Sequence, residues 1–296
     1  MTIPGTTTTG TLPTGSIRKL RRDVPIKRLW SFHTGNAGFF AGLIILLLMV
    51  ILSFVMPAVV GSGEIADPEA ILVPPSWPHI FGTDQYGRDV FVRSMSAVQI
   101  DLSLALIVAL AGLLIGSVIG ALSATIGGWF DIVVMRVTDM LMAFPAFVLA
   151  LIITASLGNS AQNAAIGVTI AYIPQFIRLT RSQALEIRSN DFVAASRVSG
   201  TTTFLIAVQH VLPNSFRPPL VQASLIAAWA ILDIAGLSFL GVGVQPPTAE
   251  WGAMIAEGTG DVLMGDWWTA FFPGLMILAA AASFQMIGDR LERMIR

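Results

Sequence analysis

The chain has 296 residues, of which 54% are hydrophobic and only 12% charged, with a mean hydropathy of +0.76 and a formal net charge of -1. A soluble domain carries about 25% charged residues, so this composition excludes an ordinary soluble globule and defines an integral membrane protein. The absence of cysteine excludes a disulfide framework, a thiolate nucleophile and a cysteine-based metal site.

The opening "MTIPGTTTTGTLPTGS" is rich in Thr, Gly and Pro, which predicts a partly disordered tail within 1–36. Arg18, Lys19, Arg21, Arg22, Lys27 and Arg28 then precede "AGFFAGLIILLLMVILSFVMPAVV". That apolar run is far longer than the roughly 7–15 residues of a signal-peptide core, so an uncleaved span is expected. Crossing a bilayer takes roughly 20 mainly apolar residues, which predicts an all-α membrane domain over 37–292 with six spans. They fall near 37–60, 102–126, 132–157, 163–180, 215–242 and 270–288.

The positive residues orient these spans, because Lys and Arg accumulate on the cytoplasmic side. With the N-terminus inside, the cytoplasmic side holds the six tail residues, Arg136, Arg178, Arg181, Arg188, Arg197, Arg290, Arg293 and Arg296, whereas Arg88 and Arg93 lie outside and Arg217 near the start of the fifth span. Both termini are therefore expected in the cytoplasm, with the spans in membrane lipid.

Between the first two spans, the expected outer loop 61–98 carries Glu64, Asp67, Glu69, Asp84 and Asp89, and its "FGTDQYGRD" suggests an ordered turn packed over the spans. In the second span, Gly112, Gly116 and Gly120 recur every fourth residue, a pattern that lets another helix approach closely. Asp101, at its outer end, reads as interfacial or as a helix cap. Arg136 and Asp139, three apart on one helix face, are expected to pair. Charge inside a membrane is costly, so Asp233, deep in the fifth span with no obvious local partner, is the leading candidate to face an aqueous pathway or a subunit interface. Gln222 and Ser224 on the same span either line the pathway or bond helix to helix. The last outer loop, with Pro246, Pro247, Glu250, Trp251, Glu257, Asp261, Asp266, Trp267 and Trp268, combines acidic residues with an interfacial aromatic belt.

The cytoplasmic segment 190–214, "NDFVAASRVSGTTTFLIAVQHVLPN", has a different character. Asn190 or Asp191 can cap a helix whose Phe192, Ala195 and Val198 form a narrow apolar face. Gly200 suits the left-handed residue that ends such a helix, Thr201 or Thr202 can cap a second one, and Pro213 terminates or kinks it. Two uses fit a face too small to cross a membrane: docking into a groove of another protein, or lying in the headgroup layer.

The order Ala194-Ala195-Ser196, Gly200, Leu212-Pro213 resembles the EAA loop of binding-protein-dependent ABC importer permeases. Four further blocks, "HIFGTDQYGRDVFVR", "GGWFDIVVMRVTDMLMAFPAFVLAL", "LSFLGVGVQPPTAEWGAMI" and "WWTAFFPGLMIL", are similar in sequence and order to the C-type permease subunit of dipeptide, oligopeptide and nickel importers. The resemblance implies a type I importer permease fold in a bacterial or archaeal cytoplasmic (inner) membrane. It also implies a second homologous permease, two ATP-binding subunits and an extracytoplasmic substrate-binding protein as partners. Asp191, Ala194, Ala195, Ser196, Arg197, Gly200, His210, Leu212 and Pro213 then couple to the ATPase, and Gly82, Asp84, Gly87, Arg88 and Asp89 contribute to outer docking. Departures are Ala194 at the usual Glu position, which removes an ion pair that Arg197 or Asp191 is placed to replace, Ser196 for the second Ala, Ile234 where Glu is common, and Gln285 where Asn is common.

A P-loop needs its lysine at the nucleotide phosphates, and GxxxxGK[ST] is absent, with Lys19 and Lys27 the only lysines. The chain is thus expected to be a non-catalytic subunit without a cofactor of its own, ATP and Mg residing on partner subunits. Its three histidines are isolated, so no metal site is expected, although nickel or haem stays open as alternative cargo. No nucleic-acid partner is expected. The rival class is a stand-alone secondary transporter or channel using Asp233 and Asp139, against which no two halves show matching interrupted spans.

Overall fold

The computed structural model describes residues 36–61 and 63–295, which belong to one unit of the chain; the tail expected over 1–36 lies, but for its last residue, outside them. The described residues are helical, with one isolated β-bridge, Thr83 to Asp89. α1 (Asn36–Val60) turns Leu43, Ile44, Leu47, Leu48 and Ile51 outward, a lipid-facing pattern since the bilayer, not water, is its solvent. Its buried side packs on α11 and α2, with Gly42 so close to the Ser283 carbonyl that a Cβ would lie 2.8 Å away.

α2 (Val90–Ile126) runs unbroken for 37 residues, starting well before the expected 102. Asp89 caps it by accepting a hydrogen bond from the Val92 N–H, so the loop expected over 61–98 is a shorter coil, 61–89, followed by helix. The third expected span is two helices, α3 (Gly128–Met142) and α4 (Ala146–Leu157), bent by 91°. Pro145 disfavours helical backbone at Phe144 and lacks an N–H to continue the ladder, which accounts for the break.

α5 (Ala161–Arg188) packs along α2, and α9 (Arg217–Phe239) lies against both. The small residues of α2 make this contact possible: a Cβ on Gly116 would stand 2.5 Å from the Phe176 Cβ, and one on Gly120 would stand 2.6 Å from the Ile177 carbonyl. α10 (Trp251–Met264) stands where a loop was expected, and α11 (Trp268–Ile295) closes the bundle against α1, α9 and α10. The main core gathers Val108, Leu113, Phe176, Ile226, Ile231, Ile234, Leu237 and Trp251 from these helices.

Among the described residues, α1, α2, α9 and α11 are each long and apolar enough to cross a membrane, and the bent α3–α4 pair makes a fifth. α5 covers the expected 163–180 but is diluted by Gln162, Asn163, Gln175, Arg178 and Arg181. Proline sits inside three helices, as Pro57, Pro174 and Pro273, which membrane helices tolerate where neighbours satisfy the freed carbonyls.

Candidate functional site

At one end of the bundle, α6 (Asp191–Val198) and α7 (Thr203–Ile206) lie across the ends of α2 and α5. Asn190 occupies the N-cap position of α6, but its side chain makes no cap bond; its carbonyl instead receives the Val193 N–H at 3.0 Å. The helix ends in a Schellman arrangement, Gly200 N–H to the Arg197 carbonyl at 3.0 Å and Thr201 N–H to the Ser196 carbonyl at 3.1 Å, with Gly200 at φ +82°. Thr202, not Thr201, caps α7 by accepting from the Leu205 N–H.

Pro213 does not stop the chain's helix. A π-helical turn, Ala207–Val211, precedes it and leads directly into α8 (Leu212–Ser215). Widening the turn displaces the carbonyl four residues before proline, against which the pyrrolidine ring would otherwise clash.

The segment presents two faces. Val193, Ile206 and Val211 are buried with Ala124 of α2 and Ala184 of α5. Phe192, Ala195 and Val198, the last 91% exposed, point away, flanked by exposed Asp191, Ala194 and Arg197, with Ser196 half-buried. His210 is half-buried with its ring edge-on to Phe192 at 6.5 Å.

Ion pairs invisible in the local sequence stiffen this end. Arg181 grips Asp131 of α3 with both prongs at 2.6 Å, the two-pronged geometry that makes arginine–carboxylate pairs strong, and Ser123 of α2 donates to the same carboxylate at 2.5 Å. Arg188 donates to the Ala124 carbonyl at 2.6 Å. Asp139 pairs with Arg178 at 2.6 Å across helices rather than with its helix neighbour Arg136.

At the opposite end, Asp84 accepts from the Tyr86 and Arg88 N–H groups and from the Arg88 guanidinium at 2.6 Å. Arg88 and Arg93 both reach Glu257 of α10 at 3.1 Å, closing a compact two-arginine, two-carboxylate network in which buried charge is balanced. Gly87, at φ +76°, lies against Asp67, and Gly82 against Trp268 and Val73; a Cβ at either position would collide with backbone. Asp89 meets His79 at 2.8 Å besides capping α2. The five residues expected at the outer loop thus build its interior, while Trp77, Ile80 and Tyr86 are exposed beside them.

Beneath this cap, Asp101 is buried and accepts from the Trp251 N–H at 3.2 Å. Glu250 caps α10 by accepting from the Ala253 N–H at 2.7 Å, and its carboxyl lies within hydrogen-bonding reach of Asp101. Complete burial pushes the Glu250 carboxyl above its ordinary range, because charge without water is costly. In the bundle, Asp233 has a partner that local reading missed, the Tyr172 hydroxyl at 2.7 Å. Gln222 is half-buried, and Ser224 bonds its own helix while standing against Gly288 of α11, a packing position. Among the described residues no cluster of three or more His, Asp or Glu has metal-binding geometry.

The described residues thus form a helical membrane bundle with an exposed two-helix platform at one end and a tightly packed cap at the other. Residues 95–296 match the family described as binding-protein-dependent transport system inner membrane component, and the chain belongs to it. A Brucella abortus protein named for a peptide transport system permease is 39% identical over 87% of this chain and 86% of its own length. The dipeptide transport system permease protein DppC of Alkalihalophilus pseudofirmus is 37% identical over 85% of this chain and 83% of its own, and that of Escherichia coli 36% identical over 90% and 91%. The chain is thus a multi-pass inner-membrane permease component of a multipart transport system.

Proposed function

We propose that this chain is one of two permease subunits of an ATP-driven importer of short peptides. Its six crossings are α1, α2, α3–α4, α5, α9 and α11, and both termini and the 190–214 segment face the cytoplasm. Support for the cargo is the shared naming of its relatives for peptide or dipeptide transport. The observation that carries the coupling role is the two-faced α6–α7 platform. Its buried face holds it to α2 and α5, and Phe192, Ala195 and Val198 remain outward beside Asp191 and Arg197. A surface so anchored transmits a push to the spans instead of folding away from it.

In this reading a loaded binding protein docks outside, against the exposed surface beside the Asp84–Arg88 scaffold. ATP and Mg on two partner subunits then close those subunits, α6 moves with them, and the bundle rocks to open the pathway inward. The decisive experiment is purification of the tagged protein from its native membrane in mild detergent, with partners identified by mass spectrometry. Two ATPase chains and a second permease are expected, with ATP-dependent peptide uptake in vesicles. Recovery alone, with transport that needs no ATP, overturns the proposal in favour of a stand-alone transporter.

A further inference from the structure

Two contiguous recesses lie along the valley between α2 and α5. The first, about 470 Å³, opens at the α10 end and is lined by Ser103, Asn159, Ser160, Gln162, Gln245 and Thr248 among others. The second, about 420 Å³, shares Leu104 and Gln162 with it and continues past Ile107, Ile115, Ile166 and Ile173. Each falls in the roughly 300–1,000 Å³ range of small-molecule sites. From Ser103 to Ile115 the groove follows α2 for about 18 Å, more than half of a hydrocarbon core about 30 Å thick.

Its chemistry changes along that length. The mouth is amide and hydroxyl, the depth is aliphatic with Thr169, and neither recess is lined by an ionisable side chain. The polar residues gather at the mouth, in the 159–162 and 245–248 segments, and the deeper recess is apolar but for Gln162 and Thr169. The amides are also oriented. Asn159 and Gln245 both donate their side-chain NH2 to the Gly241 carbonyl, at 2.9 and 3.0 Å, which leaves their amide oxygens as acceptors. Acceptors held this way suit a solute rich in N–H donors, and the aliphatic continuation suits apolar side chains without selecting among charges.

We propose that this groove is the chain's share of the solute path, its mouth accepting hydrogen bonds from the main-chain N–H groups of a short peptide without discriminating its side-chain charge. The proposal rests on the peptide-import reading and goes beyond it by naming the recognition chemistry.

Gln162→Glu tests it, because a carboxylate at the first turn of α5 is compatible with the helix N-terminus and introduces the one property that the groove lacks. The whole transporter in vesicles is supplied with Ala-Lys, Ala-Ala and Ala-Glu, and the quantity read is the lysyl-to-glutamyl uptake ratio relative to wild type. Since the binding protein is unchanged, a shift in that ratio belongs to the path. A rise of about tenfold is expected from one partly solvated charge at contact distance. Uptake with an unchanged ratio overturns the proposal. Thr248→Asp, across the mouth, asks the same question if the first variant fails to assemble. Failure of the wild-type transporter to take up any of the three peptides overturns the import reading itself, which separates the two failures.

Discussion

Tyr172 of α5 donates its hydroxyl to Oδ2 of Asp233 of α9 at 2.7 Å, joining two helices that sequence alone leaves unrelated. Tyr172→Phe removes the donor and leaves a mostly enclosed carboxyl unsatisfied, which costs about 1–3 kcal/mol. Removing both polar groups, in Tyr172→Phe with Asp233→Leu, is expected to be milder than the single change, since no orphan remains. Thermal unfolding of the detergent-solubilised protein checks both; a double variant less stable than Tyr172→Phe alone contradicts a simple pairing role.

Gly200 gives a prediction about coupling. Its φ of +82° costs a side-chain-bearing residue about 1–2 kcal/mol, more for a β-branched one, whereas Asn tolerates the conformation. No atom lies within 4 Å of a Cβ built there, so the effect is purely on backbone geometry. Gly200→Val is expected to leave the protein in the membrane yet uncouple ATP hydrolysis from uptake, and Gly200→Asn to retain most uptake. Normal uptake by the Val variant, measured beside ATPase rate, removes the coupling assignment.

The α2–α5 contact should tolerate no bulk. Gly116→Val forces atoms against Phe176 and the Ile173 carbonyl, while at Gly112 the nearest obstacle is the edge of the Phe176 ring at 2.9 Å, a side chain able to shift. Overpacking costs about 1–3 kcal/mol, so Gly116→Val should lower folded yield and melting temperature more than Gly112→Ala does. Size-exclusion profiles after heating would rank the two, and equal tolerance at both positions would contradict the close crossing.

A pH dependence follows from Glu250. Its carboxyl is raised in the folded protein above the ordinary 4.5, so below 4.5 both folded and unfolded forms are protonated. As pH rises past that point the unfolded chain ionises first, and the stability contributed by the protonated folded carboxyl declines until the folded group also ionises. Glu250→Gln keeps the acceptor for the Ala253 N–H and removes the titrating group. The variant's melting temperature is expected to fall less than wild type's between acidic and mildly alkaline buffer. Parallel curves for the two proteins would place the titration elsewhere.

Much of the local architecture was legible: the apolar run of α1, the small-residue stripe of α2, the bend at Gly200 and the hydroxyl cap beside it all follow from short-range rules. What escaped is long-range or subtle. Residues 90–98 read as loop and Asp101 as the outer end of the second span, yet Glu257 and the Trp251 N–H, 150 residues or more away, satisfy Arg93 and Asp101 inside one helix. The break between α3 and α4 had a visible signal in Phe144-Pro145, overridden by the hydrophobic run around it. Pro213 read as a stop because a π-turn is not encoded by periodicity, and Asp139 chose an arginine on another helix over one three residues away.

α2 has a mechanical consequence. Its 37 residues make a rod about 55 Å long, pinned at one end by Arg93 in the Glu257 network and at the other by the Arg188 bond to Ala124, beneath the α6 platform. A rod tilted by about 10° about its middle moves each tip by about 5 Å, in opposite directions. In the rocking bundle proposed above, the cap and the platform would be the two arms of a seesaw.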